Sequence, residues 1–160
     1  MRAPAKRSYV TLAAFITGCL AVGFLGSLAT SSSLPSWYSG IQKPFLNPPN
    51  WVFAPVWSVL YILMAVAGWR LWTAESDQRF RLRTLFVVQL ILNGIWSPLF
   101  FGARNPLAGL IDIVLLWSVL LSLTRTAWRE DRTSGLLLAP YFLWVSFAAY
   151  LNAAIWWLNR

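Results

Sequence analysis

Histidine is absent from this chain of 160 residues, and its single cysteine, Cys19, lies inside the first apolar segment. The missing imidazole removes the commonest metal ligand, the usual general base and the usual axial ligand of haem iron. Cys19 has no second cysteine with which to form an intramolecular disulfide, so we expect it to pack as a small apolar side chain. We therefore predict no metal site, no bound cofactor and no conventional catalytic residues.

Charge is also scarce, because charged residues make up only 11% of the chain while hydrophobic residues make up 58%. A soluble domain carries about 25% charged residues. A small soluble domain also has too much surface for its volume to bury so many apolar side chains. The sequence therefore predicts a membrane protein. The net charge of +8 is divided among short loops and forms no continuous patch, so we exclude a nucleic-acid partner.

Five apolar segments are each long enough to cross the hydrocarbon core as a helix, which takes about 20 residues. Strands are excluded, because a barrel would show short alternating segments and an open sheet in lipid would leave backbone groups unpaired. We predict an all-α membrane protein, a bundle of five transmembrane helices that forms one domain over residues 1–160. The predicted helices cover residues 10–29, 51–72, 82–101, 107–128 and 135–158.

Lysine and arginine are concentrated at one end of these helices. The opposite end has only Lys43, Arg104 and Arg160. By the positive-inside rule the basic end, with the N-terminus, is cytoplasmic. We therefore predict a multi-pass protein of a bacterial membrane, without choosing between the inner and the outer membrane. The residues of the basic end are Arg2, Lys6, Arg7, Arg70, Arg79, Arg81, Arg83, Arg125, Arg129 and Arg132.

Asp112 is the acidic residue that falls within a predicted span, shortly after Pro106, which is well placed to start the fourth helix. A carboxylate inside a membrane is a functional candidate by default. Near a helix N-terminus, however, the helix dipole favours a carboxylate without any further role. Because no second carboxylate or histidine is available to form an acid–base pair, we favour a structural role for Asp112.

Aromatic and amide side chains recur at helical spacing on three of the predicted helices. Amides in hydrocarbon are costly unless they are paired, and a small-molecule site typically has apolar walls with few polar groups. Interhelical contacts joined by amide hydrogen bonds would give the same pattern, and periodicity does not separate the two interpretations. The faces consist of Trp57, Tyr61 and Met64; Gln89, Asn93 and Trp96; and Pro140, Trp144, Phe147 and Leu151.

The connection between the first two helices, residues 30–50, is the longest in the chain. Long connections are usually either functional or disordered. Trp37, Tyr38, Ile41 and Phe45 lie among its prolines, which is a poor composition for disorder. We predict that this loop covers the mouth of the bundle as a lid. The alternative is a loop that merely packs on the helix ends.

The most specific motif begins in this loop and continues into the second helix, WYSGIQKPFLNPPNWVFAPVWSVLYILM. It resembles the signature region of the translocator protein and tryptophan-rich sensory protein family (TspO/MBR), also called the peripheral-type benzodiazepine receptor family. QLILNGIWSPLFFG, LAGLIDIVLLW and LAPYFLWVSFAAYLN are similar to the third, fourth and fifth helices of that family. The resemblance covers nearly the whole chain in order.

The resemblance implies a five-helix bundle, often a homodimer, with a ligand site beneath the first loop. The family's ligands are porphyrins such as protoporphyrin IX, cholesterol, isoquinoline carboxamides and benzodiazepines. Trp57 and Trp144 match the tryptophans that the family implicates in light-dependent porphyrin breakdown. The ligand-binding residues carried over by position are Tyr38, Pro48, Phe53, Trp57, Tyr61, Gln89, Asn93, Trp96, Trp144, Phe147, Ala148 and Leu151.

A tetrapyrrole suits the residues that the resemblance brings together. Its flat faces can stack on aromatic rings, and the amides of Gln89 and Asn93 can bond its polar atoms. Lys43 at the mouth could pair with a propionate. The family's sterol pattern is incomplete here, because Arg160 follows Tyr150 at too great a distance. We therefore do not predict strong cholesterol binding.

A second copy of the chain is a further expected partner. Ala14 and Gly18 on the first helix have the spacing at which small residues allow helices to approach closely, as do Ala149 and Ala153 on the fifth. Either pair could equally serve packing within one bundle. The sequence leaves the dimer interface open.

Together these features predict an integral membrane receptor or sensor that binds porphyrins and other hydrophobic ligands, in stress or tetrapyrrole regulation. Two alternatives remain. One is a transporter of tetrapyrroles or lipids, against which an odd number of spans gives no pair of matching halves. The other is an enzyme that degrades porphyrin with light, using Trp57 and Trp144. The expected partners are a hydrophobic small molecule, membrane lipid and a second copy.

Overall fold

The computed structural model describes residues 9–160, and these residues form five long helices without a strand. Each helix is long and apolar enough to cross a membrane. The predicted fold class, a five-helix membrane bundle, is confirmed. The expectations for Arg2, Lys6 and Arg7 lie outside the described residues. The helices are α1 (Tyr9–Ser33), α2 (Asn50–Thr73), α3 (Arg79–Ser97), α4 (Pro106–Glu130) and α5 (Arg132–Leu158).

The start of α4 and the turn into α5 have clear local causes. Asn105 caps α4, because its side chain accepts a hydrogen bond from the Ala108 N–H at 3.1 Å, and Pro106 follows at the first helical position. The turn between α4 and α5 is a single residue, Asp131. Gly135 permits this tight turn, because a Cβ there would lie 2.7 Å from the Cα of Trp128.

The first helix is longer than predicted, and the connection after it is shorter. Instead of ending near residue 29, α1 reaches Ser33, and a π-helical segment continues it through Tyr38. The serines of this stretch remain helical because their hydroxyls donate to carbonyls of the preceding turn, as Ser31 does to Leu28 at 3.1 Å. Ser39 and Gly40 are still helical, so the irregular part of the connection is residues 41–49. We call this end of the molecule the loop end, and the opposite end the basic end.

The five helices close into a ring. Helix α1 packs against α2 and α3, α2 packs against α5, and α4 packs against both α3 and α5. Towards the basic end the ring is filled by fully buried aliphatic side chains. The principal ones are Met64, Leu71, Leu82, Leu120, Leu123 and Leu138.

An ion pair joins three of the helices at the basic end. The guanidinium of Arg70 on α2 donates to both carboxylate oxygens of Asp131, each at 2.8 Å, and the hydroxyl of Ser134 on α5 donates to the same carboxylate. Burial raises the pKa of Asp131, but the hydrogen bonds from Arg70 and Ser134 outweigh it and hold the pKa below its usual value. The side chains of Arg70 and Asp131 are only 20% and 17% exposed, so this ion pair is largely buried.

Candidate functional site

A cavity of about 490 Å³ lies between the helices in the half of the bundle towards the loop end. All five helices contribute to its wall, together with the π-helical segments and Asn47 of the connection. The wall is predominantly apolar, and its largest surfaces are indole rings. The tryptophans of the wall are Trp57 on α2, Trp96 on α3 and Trp144 on α5.

A buried chain of hydrogen bonds forms the floor of this cavity. The hydroxyl of Tyr61 donates to the Asn93 side-chain oxygen, and the Asn93 amide donates to the Tyr141 hydroxyl at 2.8 Å. Tyr141 in turn donates to the Gln89 side-chain oxygen at 3.0 Å, and the Gln89 amide contacts the Met64 sulfur at 3.4 Å. The two amides that are costly in hydrocarbon are thereby paired. This network joins α2, α3 and α5.

The aromatic side chains of the wall hold one another in place. The ring of Trp57 lies 5.5 Å from that of Tyr61, centroid to centroid, and Trp144 meets Phe53 edge-to-face at 5.9 Å. Trp96 stacks on Phe100 at 5.1 Å. Such pairs are worth about 0.5–1.5 kcal/mol each beyond the area they bury. These contacts stabilise the positions of the flat surfaces of the site.

The indole N–H groups inside the bundle differ in whether they have a hydrogen-bond acceptor. Trp96 donates to the Asn152 side-chain oxygen at 3.0 Å, and Trp117 donates to the Ser146 hydroxyl at 2.8 Å. The buried N–H of Trp144 has no hydrogen-bond acceptor within the described residues. A buried donor without an acceptor costs about 1–3 kcal/mol. Trp144 is therefore the wall residue with an unmet hydrogen-bonding requirement.

The loop end of the cavity is covered by the connection between α1 and α2. Tyr38 is buried there and donates from its hydroxyl to the Asn47 side-chain oxygen at 3.1 Å. Asn159 at the end of α5 both accepts from the Gln42 backbone N–H and donates to the Gln42 carbonyl, each at 2.9 Å. Lys43 donates to the Ile41 carbonyl at 3.1 Å and does not line the cavity. The connection is thus bonded to Tyr38, at the end of the π-helical segment, and to Asn159, at the end of α5.

Most residues of the predicted site meet in this cavity. Pro48, Gln89 and Phe147 do not line it. Gln89 lies behind the wall in the hydrogen-bond network, and Phe147 packs behind Trp144 with ring centroids 5.8 Å apart. The residue before Pro48, Asn47, lines the cavity in its stead. The predicted residues that line the cavity are Tyr38, Phe53, Trp57, Tyr61, Asn93, Trp96, Trp144, Ala148 and Leu151.

Sequence reasoning missed the contribution of the first helix. One face of α1 lines the cavity, although that helix carries no aromatic or amide face of the kind found on α2, α3 and α5. The usable signal was its hydroxyl residues at helical spacing. Phe100, Phe101, Ile113 and Leu116 were also missed. The α1 residues concerned are Leu20, Gly23, Phe24, Gly26, Ser27, Thr30 and Ser31.

Asp112 lies beside the cavity without lining it. Its side chain is only 5% exposed, and its Oδ2 atom has no hydrogen-bond partner within the described residues. The neighbouring residue, Ile113, does reach the cavity wall. The structural role that we favour for Asp112 stays a prediction.

These features define an integral membrane protein whose helices enclose an apolar cavity lined by tryptophan. The chain belongs to the TspO/MBR family, whose family model matches residues 15–158. The predicted family membership is therefore confirmed, as is the assignment to a multi-pass membrane protein.

Similar proteins come from distant organisms. The chain is 45% identical to the tryptophan-rich protein TspO of Chlorobaculum tepidum, over 96% of this chain and 99% of that protein. It is 44% identical to the tryptophan-rich protein TspO of Archaeoglobus fulgidus, over 92% and 96%. The translocator protein of Sus scrofa is 38% identical, over 86% and 83%. The match therefore extends over most of each chain.

Proposed function

We propose that this protein is a membrane receptor or sensor whose cavity binds flat, hydrophobic ligands of the tetrapyrrole class. The observation that carries the proposal is the cavity of about 490 Å³ with three indole rings on its wall. Its volume falls in the range of about 300–1,000 Å³ that is usual for small-molecule sites. The name of a relative, the tryptophan-rich sensory protein of Cereibacter sphaeroides, supports the sensing part.

The few polar groups at the cavity would orient such a ligand. A small rotation of the Trp144 indole would offer its N–H to an acceptor on the ligand, which would relieve the unmet hydrogen bond. At the loop end the ammonium of Lys43 lies 4.7 Å from the centre of the Tyr38 ring. If it left the Ile41 carbonyl, it could pair with a ligand carboxylate above Tyr38.

A titration in the dark tests the proposal. Protoporphyrin IX is added to the purified protein in detergent, and saturable quenching of tryptophan fluorescence is followed. We expect Trp144→Ala to weaken binding by about tenfold, since it removes a stacking surface worth about 1 kcal/mol or more. Trp157→Ala is the matched control, because Trp157 is 58% exposed and lies away from the cavity. Unsaturable quenching, or equal affinity in both variants, would indicate partitioning into micelles and would contradict the proposal.

Light-dependent breakdown of a bound porphyrin is a second candidate function. The observation in its favour is that Trp57 and Trp144, from neighbouring helices, line the same cavity. Illumination of the complex should then consume porphyrin, and Trp57→Phe should slow this consumption while it preserves binding. Undiminished consumption by Trp57→Phe and by Trp144→Phe would remove this candidate.

We also propose a homodimer in which the α1 surface packs on a second copy. An open groove of about 460 Å³ runs between α1 and α3, and Ala14 and Gly18 lie in it. A Cβ on Gly18 would meet no atom within 4 Å, whereas Ala149 of the alternative pair packs on the core. Gly18→Leu should shift the detergent-solubilised protein from dimer to monomer in light scattering, and Ala153→Leu should not. The opposite result would place the interface on α5.

A further inference from the structure

One strip of the cavity wall faces outwards, between α1 and α2. Every lining residue that is exposed, in the part of the chain that the structure describes, lies on one of these two helices. The lining residues from α3, α4 and α5 are all buried or half-buried. We call this strip the slot, and it consists of Leu20, Phe24, Ser27 and Ser31 on α1 with Asn50, Ala54 and Ser58 on α2.

The slot has the geometry of two facing helix edges. Its residues recur every three or four positions on each helix, so each set forms one continuous face. From Leu20 to Ser31 the edge of α1 is about 16 Å long at 1.5 Å per residue. That length is about half of the roughly 30 Å hydrocarbon core. The slot therefore extends through about one leaflet of the membrane, on the side of the loop end.

The slot lies where α1 packs on α3. At Gly23, near the lower end of the slot, the helix backbone lies directly against the Tyr61 ring of α2. At this level and above it α1 also contacts α3, since a Cβ on Gly94 would lie 3.2 Å from Val22 and a Cβ on Gly26 would lie 3.4 Å from the Ser97 hydroxyl. The Ser33 hydroxyl then donates to the Phe101 carbonyl at 2.7 Å. The α1 edge of the slot is thereby held by contacts with α3 and with the π-helical segment that follows α3.

The loop end offers no comparable opening, because the connection above the cavity is bonded on both sides. A molecule passing there would have to break the pair of hydrogen bonds between Gln42 and Asn159, and the bond between Tyr38 and Asn47. Among the described residues, no hydrogen bond joins the two edges of the slot, whose serines bond within their own helices. The geometry thus favours the membrane over the aqueous phase as the source of a ligand.

The chemistry of the slot suits contact with lipid. Its edges carry apolar side chains, including Phe24 with 64% of its surface exposed. A hydroxyl in lipid must find its partner within the protein. The serine hydroxyls of the slot do so by donating to their own helix, Ser27 to the Phe24 carbonyl at 2.7 Å, Ser31 to that of Leu28 at 3.1 Å and Ser58 to that of Ala54 at 2.8 Å.

We infer that the slot is the passage through which an amphiphile dissolved in the membrane reaches the cavity. The inference rests on the proposed function, since it concerns the ligand of the same cavity. It assigns to Ser27 and Ala54 a role in access and not in affinity. A narrower passage raises the barrier equally in both directions, so association and dissociation slow together while Kd is unchanged.

The test compares rates in lipid. The full-length protein is reconstituted into vesicles and mixed with vesicles preloaded with protoporphyrin IX, and tryptophan quenching is followed by stopped flow. We expect Ser27→Phe with Ala54→Phe to slow association and dissociation by about tenfold each, with Kd changed less than about twofold. Leu28→Phe with Ile62→Phe is the matched control, because both residues are exposed on the same helices and do not line the cavity. It should leave both rates unchanged.

A second arm opens the loop end. Asn159→Ala removes both hydrogen bonds to Gln42 and should leave the rates unchanged if the ligand comes through the slot. Faster association in Asn159→Ala, or unaltered rates in the double slot variant, would overturn the inference. So would lost affinity at an unaltered association rate, because Ser27 and Ala54 would then contribute to the affinity for the ligand and not to its access. If the double variant does not fold by circular dichroism, Ser58→Leu replaces it.

The two levels of failure are distinguishable. If the unmodified protein binds protoporphyrin IX without saturation, the proposed function fails and the passage fails with it. If the unmodified protein binds saturably, but the slot variants have the same association and dissociation rates as the control variant, the receptor proposal stands and the slot is not the passage.

Discussion

Gly23 occupies the point at which α1 and α2 meet. A Cβ there would lie 2.5 Å from the Cε2 atom of Tyr61, so the ring would have to move. The hydroxyl of the same ring bonds Asn93 in the floor network, and a displaced ring leaves that buried amide without its donor. We expect Gly23→Ala to lower the free energy of unfolding by about 1–3 kcal/mol, measured by denaturant unfolding in micelles.

Gly26→Ala is the matched control for this substitution. It lies on the same helix, outside the groove proposed for the second copy, and gains the same helix propensity of up to about 1 kcal/mol, while its Cβ would make only an ordinary contact, 3.4 Å from the Ser97 hydroxyl. Stability should therefore stay unchanged or rise. If the two alanine variants were equally stable, the contact between Gly23 and Tyr61 would not limit the approach of α1 to α2.

The sequence does not show how deeply a single residue lies within the bundle, and therefore which residues of a buried face reach the cavity. Gln89 and Asn93 lie one helical turn apart on the same face of α3, so periodicity predicts both in the site. The hydroxyl of Tyr141 lies between them and bonds both amides, which leaves Asn93 at the cavity and Gln89 behind the wall. Tyr141 belongs to α5, and its position depends on the packing of the whole ring. No pattern within α3 carries that information.

The junction of α4 with α5 depends on the ion pair between Asp131 and Arg70 of α2. Without the Asp131 carboxylate, the guanidinium of Arg70 would stay largely buried and would lose two charge-assisted hydrogen bonds. We expect Asp131→Asn to lower the free energy of unfolding at pH 7 by about 1–3 kcal/mol. Thermal unfolding in detergent measures this. Glu130→Gln is the control, because Glu130 is exposed and accepts a hydrogen bond from the Ser76 hydroxyl at 2.7 Å.

The same ion pair gives stability a defined pH dependence. Because the pKa of Asp131 is lower in the folded protein, the pair contributes fully above the unfolded value of about 3.9. The contribution is lost as the pH falls below that value and through the folded pKa. The stability difference between the unmodified protein and Asp131→Asn should therefore shrink on acidification below about pH 4. A difference that is constant from pH 7 to pH 3 would contradict the assignment.

Helix positions were predictable because charge and proline flank the apolar segments, but the end of α1 was not. The segment TSSSLPSWYSG contains the residue types that end helices, and it predicts a loop. In the structure its serine hydroxyls bond back to the preceding turn, and Leu34–Tyr38 continue as a π-helix. Both devices satisfy polar groups within the helix, as lipid requires. This requirement of the lipid environment outweighs the preference of serine, proline and glycine for ending a helix.

At the scale of the molecule, the order of the helices around the ring produces the site. Because α2 contacts α1 on one side and α5 on the other, the aromatic faces of α2 and α5 meet across the cavity. The same order places α1 between α2 and α3, and therefore opposite α4 and α5. The faces could be predicted from the sequence but this order could not, since the spacing of apolar residues indicates which side of a helix is buried and not which neighbour covers it.

The distribution of charge along the whole chain predicts how the bundle is inserted. The basic end of the described chain carries seven arginines, and the loop end has Lys43, Arg104 and Arg160, so the positive-inside rule places the basic end in the cytoplasm. Phe45 is fully exposed at the loop end, and Arg129 is exposed at the basic end. These two positions therefore report the two sides of the membrane.

Cysteine labelling at the two positions tests the orientation, in a Cys19→Ala background that removes the native thiol. An impermeant maleimide added to intact spheroplasts should label Phe45→Cys at once and Arg129→Cys only after lysis. The reverse pattern would contradict the predicted orientation, and labelling of both positions before lysis would indicate insertion in two orientations. The reverse pattern would also move the slot to the other leaflet, because its residues lie in the half of the bundle towards Phe45.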